Sequence, residues 1–320
     1  MPTKQINFVT KNTLKTPILL LIFNRPETTK QVFSAIRKAK PPHLYIAADG
    51  PRPEFVDEVK HCELARKVAT NVDWDCEVKT LFRENNLGCR LAVSEAIDWF
   101  FEQELEGIIL EDDCLPDQSF FFFCQEVLDY FRDDTRIMHV GGTNFQFGNN
   151  QTKYSYYFSR YVHVWGWASW RRAWKFYDEK MTQLPVDKYN EILIHWREDG
   201  QNFIRYWNNV FQQTARGEID TWDHQWTFAC WNQNGLSVVP SVNLISNLGF
   251  SKESTHTKKP SPLANMSTER IELPLIHPQL ILRHQKADRY VERQQFSRPI
   301  LYRLLQKFFR TIYLRKNDKS

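Results

Sequence analysis

The chain has 11 glycines in 320 residues, and none of them forms the Gly-x-Gly-x-x-Gly turn of dinucleotide-binding proteins or the Gly-x-x-x-x-Gly-Lys-Ser/Thr loop of P-loop enzymes. The usual backbone cradle for a diphosphate is therefore missing, and a diphosphate bound here must be neutralised by other means. The six cysteines (Cys62, Cys76, Cys89, Cys114, Cys124 and Cys230) include no Cys-x-x-Cys pair and no regular framework, which predicts free thiols in a reducing compartment. No apolar run approaches bilayer-spanning length; the longest early one, 17–23, is far too short, so a cytoplasmic location is expected. Internal repeats are absent, and the low hydrophobicity of disordered chains is absent too, since 42% of residues are hydrophobic and 14% aromatic.

A large excess of one charge sign is also lacking: 42 Lys+Arg stand against 38 Asp+Glu. The imbalance is local. Residues 296–320 hold seven Lys/Arg and one acid, leaving a net of −2 on the 295 residues before them, so the body is not a nucleic-acid surface.

What is present begins with strand-then-helix units. PILLLIF (17–23) is a continuous apolar run closed by Asn24-Arg25-Pro26, and Val32, Phe33, Ile36 and Ala39 then follow at helical spacing. HLYIAAD (43–49) leads through Gly50-Pro51 to a helix over about 54–70. CEVKTLFR (76–83) leads to a helix near 90–104, and GIIL (107–110) runs into Glu111-Asp112-Asp113. The pattern predicts an α/β fold with a mostly parallel sheet covered on both faces. Such sheets bind ligands beyond the carboxyl ends of their strands, where Asn24-Arg25, Asp49-Gly50, Arg83 and the acidic triplet converge.

The triplet is the strongest local signal. Three adjacent carboxylates raise one another's pKa, and a hard divalent cation compensates them; all-oxygen chemistry favours Mn2+ or Mg2+ over zinc. On an extended segment Glu111 and Asp113 would project to one side and Asp112 to the other. A solvated strand end capping the next helix, 118–131, is the alternative.

Nine of the eleven tryptophans fall between Trp165 and Trp231, an aromatic wall of the kind that stacks on the C–H faces of sugars. Trp165 and Trp167 are assigned to that pocket. Trp167, Trp170 and Trp174 also have helical spacing, which favours core packing for the last two. In RGEIDTWDHQW, Glu218, Asp220 and Asp223 are candidate bases, with a cap or structural role favoured for Asp220. Asp223 falls in the first turn of a helix starting near Thr221, where it could instead merely complement the helix dipole.

LLLIFNRPETT, IAADGPR, RENNLG, IILEDDCLPDQSFFFF, HVWGWASWRRAW and TWDHQW together resemble the GT-A class of nucleotide-sugar glycosyltransferases, of the bacterial family 2 type and related to the N-acetylglucosaminyltransferase I type. The resemblance runs from 17 to 257. It implies a metal-dependent transferase with an aromatic-rich acceptor side, a nucleoside diphosphate-sugar donor (uridine diphosphate expected) and a glycan or lipid-linked acceptor in polysaccharide biosynthesis. It places Asp113 on the metal, Glu111 and Asp112 on sugar and ribose, and Asp223 as base. Asn24 stands where the family has an aspartate, and Asp49 where it has a nucleoside-contacting acid; an Asx-turn is the rival role for Asp49. Arg25 joins this donor set. Arg83 is expected to reach a phosphate or the triplet, with an ordinary salt bridge as the rival. His256, in a Ser-Thr-His-Thr segment ahead of Lys258 and Lys259, is a second metal-ligand candidate.

The resulting division is an extension over 1–16, a transferase domain over 17–260 (donor half 17–142, acceptor half 143–260), a linker or extension over 261–295 and a basic amphipathic helix over 296–320. That helix suits an anionic membrane surface, with docking on the body or homodimerisation as the rival.

Overall fold

The computed structural model describes residues 13–149, 151–196, 200–250 and 262–296. The first apolar run forms β1 (Ile18–Ile22), and Pro26, which needs no amide partner at a helix start, opens α1 (Pro26–Ala39). The same strand-then-helix grammar repeats in β2 (His43–Ala48), α2 (Glu58–Ala69), β3 (Glu77–Phe82), α3 (Gly88–Gln103) and β4 (Glu106–Glu111). After the acidic turn come β5 (Cys114–Pro116), α4 (Gln118–Tyr130), β6 (Ile137–Gly141), β7 (Tyr156–Ser159) and β8 (Trp167–Trp170). The remainder comprises α5 (Arg171–Trp174), α6 (Tyr189–His195), α7 (Gln201–Ala215), α8 (Asp223–Asn232), β9 (Leu236–Pro240), β10 (Ile245–Asn247) and α9 (Gln285–Val291).

Eight strands form one sheet in the order β3-β2-β1-β4-β8-β6-β9-β7, and β5 pairs with β10 in a separate ribbon. Neighbours β3, β2, β1 and β4 are parallel; β8 is antiparallel to both β4 and β6, and β7 is antiparallel to β9. The result is a large mixed, mostly parallel sheet flanked by helices, a Rossmann-like arrangement in the general sense shared by GT-A transferases and nucleotidyltransferases.

Both faces of the sheet are covered, which is why β1 reads as an uninterrupted hydrophobic run. Ile18, Leu20 and Ile22 pack with α1, α2 and α4, whereas Leu19 and Leu21 pack with α3 and the tryptophan-rich helices. Burying each such side chain stabilises the fold by roughly 1.5–3 kcal/mol. Because β8 is an interior strand, its alternation sends Ala168 and Trp170 to the first core and Trp167 to the second. Trp167 and Trp170, which have helical spacing in the sequence, thus sit at the two ends of a strand and on its opposite faces.

The segment expected as a linker or extension packs on the body. His284 N–H bonds Phe158 O (2.7 Å), and the fully buried Asp288 accepts from Ser159 Oγ (2.6 Å) and Arg160 N (3.2 Å). Glu292, also buried, accepts from the Tyr161 hydroxyl and lies near Arg160. All six cysteines are free. Among the described residues no helix is long and apolar enough to cross a membrane.

His139 sits inside the second core, stacked on Trp167 (5.2 Å), with its Nδ1 accepting from Trp226 Nε1 (3.2 Å) and its Nε2 3.1 Å from His163 O. This geometry fixes a neutral ring with Nε2–H as donor. Burial pushes the pKa of both His139 and His163 down to about 3. Below about 6.5 the unfolded imidazoles take up protons that the native ones refuse. Stability is therefore full above 6.5 and falls by about 1.4 kcal/mol per pH unit per histidine as pH drops toward 3. H139F is expected to be less stable than wild type near neutrality, because Trp226 loses its acceptor, and to show an acid slope shallower by one histidine's share in urea unfolding. An unchanged slope would contradict this.

Candidate functional site

The carboxyl ends of the parallel strands open into a cleft of about 330 Å³. Leu21 and Glu111 face each other in register across β1 and β4, which brings the acidic triplet beside the β1–α1 turn. Arg25, directly before Pro26, is held out of the helical region (φ −118°, ψ 74°) by the proline ring. Its guanidinium reaches the triplet, with Nη1 2.6 Å from Asp113 Oδ2 and 3.6 Å from Asp112 Oδ1. Asp112 Oδ2 also accepts from Phe23 N (3.0 Å).

The alternation expected of the triplet does not occur. Residues 112 and 113 form a turn between β4 and β5, so both aspartates face Arg25 and neither is splayed to the opposite side. The charge density is only partly compensated. Burial, then Asp113 and Asp112, raises the pKa of Glu111 to about 8; burial and Asp113 raise that of Asp112 to about 7 against the pull of Arg25 and the Phe23 amide. Arg25 itself is pushed up, the attraction of Asp112 and Asp113 outweighing the burial that would lower it.

Five acids (Asp49, Glu111, Asp112, Asp113 and Asp220) line the cleft against three arginines, Arg25, Arg52 and Arg83, and two of the arginines are engaged elsewhere. Arg52 is paired with Glu58 (2.5 Å), and Arg83 with Glu95 (3.0 Å) rather than with the triplet. A diphosphate entering this space meets net negative charge, which a cation would relieve. The carboxylate oxygens of Asp112 and Asp113 suit a hard cation in kind. They do not suit it in number: among the described residues no group of three ligating side chains is gathered, so ligand oxygens and water would have to complete the shell. His256, Lys258 and Lys259 lie outside the described residues.

Asp49 is committed to the protein. Its carboxylate accepts from Gly50 N (2.9 Å), Leu87 N (3.0 Å), Gly88 N (3.1 Å) and Asn86 Nδ2 (2.9 Å), which shapes the loop entering α3. Gly88 opens that helix at φ +80°, where a glycine avoids the Cβ penalty. The expected Asx-turn does not form, since the residue two on is Pro51 and has no N–H; Asp49 sits at the cleft wall with its carboxylate on the 86–88 loop instead. Asn24 does not line the cleft; it donates to Glu58 Oε1 (2.7 Å) and ties the β1–α1 turn to α2.

Asp223 is not among the residues lining the cleft; it begins α8, half-buried, accepting from the Thr221 hydroxyl, and lies near enough to Glu111 to raise that group's pKa. Asp220, expected as a cap, lines the cleft and would meet a Cβ at Gly88 at 3.3 Å. Glu218 is exposed and paired with Arg216. Cys89 also lines the cleft; burial, followed by Glu111, Asp220, Asp223 and Asp49, pushes its thiol up to about 12, which keeps it protonated.

Trp167 is not an acceptor wall. It is fully buried and stacked on Trp222 (5.6 Å) because β8 is covered on both faces. Trp170 and Trp174 are core residues as expected. Trp165 is half-buried, edge-on to Phe145 (5.3 Å) and Phe250 (5.5 Å), and does not line the cleft.

Fold and site together define an α/β protein with an acid-rich cleft at the ends of parallel strands. No family model and no curated protein matches the chain. Among solved structures it is similar to a 4-diphosphocytidyl-2C-methyl-D-erythritol synthase from Anaerococcus prevotii, with 10% identity, a TM-score of 0.33, and coverage of 62% of this chain and 99% of that one. A likeness of that size transfers no chemistry.

Gly249 fixes the position of Asp113: a Cβ there would collide with Asp113 Oδ2, while Leu248 N donates to Asp113 O (2.7 Å). G249A is expected to destabilise the protein by about 1–3 kcal/mol, and by much less when Asp113 is already alanine. A double-mutant cycle in urea showing equal costs in both backgrounds would sever the two residues.

Proposed function

We propose that the cleft binds a nucleoside diphosphate-sugar, with uridine diphosphate as the expected carrier, and transfers the sugar with inversion to a hydroxyl of a glycan or lipid-linked acceptor. The observation that carries this reading is the turn at the end of β4, where Asp112 and Asp113 face Arg25 in a cleft whose other arginines are drawn to Glu58 and Glu95. A nucleoside diphosphate is a ligand whose binding relieves such a site, because it arrives with a cation and offers oxygens to complete the coordination. Mn2+ or Mg2+ held by Asp113 would neutralise the diphosphate and favour its departure.

The protein's own residues then have separate tasks. Arg25, which lines the cleft beside Asp112 and Asp113, would lie within reach of the diphosphate. Asp223, at the start of α8 and close enough to Glu111 and Cys89 to perturb both, takes the acceptor proton as the new glycosidic C–O bond forms; the bond from the anomeric carbon to the phosphate oxygen breaks and leaves its electron pair on the diphosphate. A single displacement inverts the anomeric centre.

Synthesis of a nucleotide-sugar from a nucleoside triphosphate and a sugar phosphate uses a related cleft and is the competing enzymatic reading. The β1–α1 turn, Asn24-Arg25-Pro26, lacks the glycines with which such enzymes wrap a triphosphate. A carbohydrate-binding protein without turnover is the non-enzymatic rival.

D223N is expected to lower turnover by a factor of about 10² to 10⁴ while donor affinity holds. Wild type should release nucleoside diphosphate and give a product of inverted configuration by NMR. Pyrophosphate release from a triphosphate, retention of configuration, or binding without turnover across a donor panel would each overturn the proposal.

A further inference from the structure

The edge of the sheet at β7 carries a surface that the cleft does not explain. There the chain bridges β7 at Arg283, and Ile281 packs into the first core while Leu280 and Leu282 on either side point outward, 68% and 67% exposed. Isolated exposed leucines are ordinary, but here they flank a hollow of about 320 Å³ that also includes Tyr154 and Lys153.

The next residues sort their charges by face. Residues 285–296 contain two acids, and both are turned inward: Asp288 to Ser159 and Arg160, Glu292 to Tyr161 and Arg160. The three bases of the same stretch, Lys286, Arg289 and Arg293, are exposed and line a second, open hollow of about 590 Å³. Gln151 borders both hollows, so the apolar and cationic patches are continuous. Among the described residues no carboxylate pairs with these three bases.

We propose that this face, built from Leu280, Leu282, Lys286, Arg289 and Arg293, docks the protein on an anionic lipid bilayer. Outward leucines beside cations match the two layers of a membrane surface, the acyl boundary and the phosphate headgroups. A polyanion such as nucleic acid would satisfy the bases and leave the leucines in water. The chain leaves this face at Phe296 and continues for 24 residues holding seven Lys/Arg and one acid, so the C-terminal segment adds charge of the same sign. The proposal is independent of the reaction assigned to the cleft.

The test is sedimentation of the full chain with phosphatidylcholine vesicles, with and without phosphatidylglycerol. Wild type is expected to bind only the anionic vesicles, and less so as salt rises. At about fivefold per cation, K286Q/R289Q/R293Q should weaken partitioning about a hundredfold. L280S/L282S should weaken it as well while preserving the salt dependence, and both variants should keep the wild-type melting temperature. Vesicle binding unchanged in both variants would assign membrane contact to 297–320 alone and overturn the proposal, as would absence of binding by wild type or equal binding to neutral vesicles.

Discussion

The ion pair between Arg25 and the aspartates of the β4–β5 turn is the constraint from which the site is built. Glu111, Asp112 and Asp113 are brought together by a strand end buried in the sheet, and burying like charges is costly unless they are paired or protonated. One guanidinium partly meets that need. It is placed by local covalent geometry: the proline after Arg25 holds it out of the helix, and parallel pairing of β1 with β4 sets the two turns side by side. The uncompensated remainder shows in the raised pKa values of Glu111 and Asp112. A site left short of positive charge in this way is disposed to accept more of it, and that disposition is the physical basis for reading the cleft as a seat for a cation-borne diphosphate.

The rest of the molecule supports this arrangement by rigidity. Asp49 spends its carboxylate on the loop that opens α3, Glu58 gathers Asn24 and Arg52, and Gly249 leaves just enough room for the Asp113 side chain. Several side chains that look like ligand contacts are thus supports that shape the cleft wall. The tryptophans act in the same way. Trp167, Trp174, Trp222 and Trp226 pack against one another under α8 and so hold the start of that helix, and Asp223 with it, against the sheet.

Much of the donor half is legible in the sequence because its signals are local: continuous apolar runs for β1 and β2, Pro26 at a helix start, Gly88 at a turn. Elements that depend on tertiary placement are less so. Trp167 and Trp170 have a spacing that fits a helix, and only the insertion of β8 between β4 and β6 makes them a strand buried on both faces. The turn at Asp112-Asp113 is set by β5 pairing with β10, more than a hundred residues away in the chain. Asp288 and Glu292 look like surface charges in a polar stretch, and nothing local announces that Arg160 waits for them inside. Of the site, the convergence of Arg25, Asp49, Arg83 and the triplet is readable from strand ends; which of them are committed to partners is not, since the partners Glu58, Glu95 and Asn86 come from other elements.

Calorimetric titration with uridine diphosphate, with and without Mn2+, in wild type and D113N, addresses the central claim most directly. The account predicts binding that requires the metal and is lost in D113N. Full affinity in chelated buffer, or metal-dependent binding that D113N leaves unchanged, would contradict it.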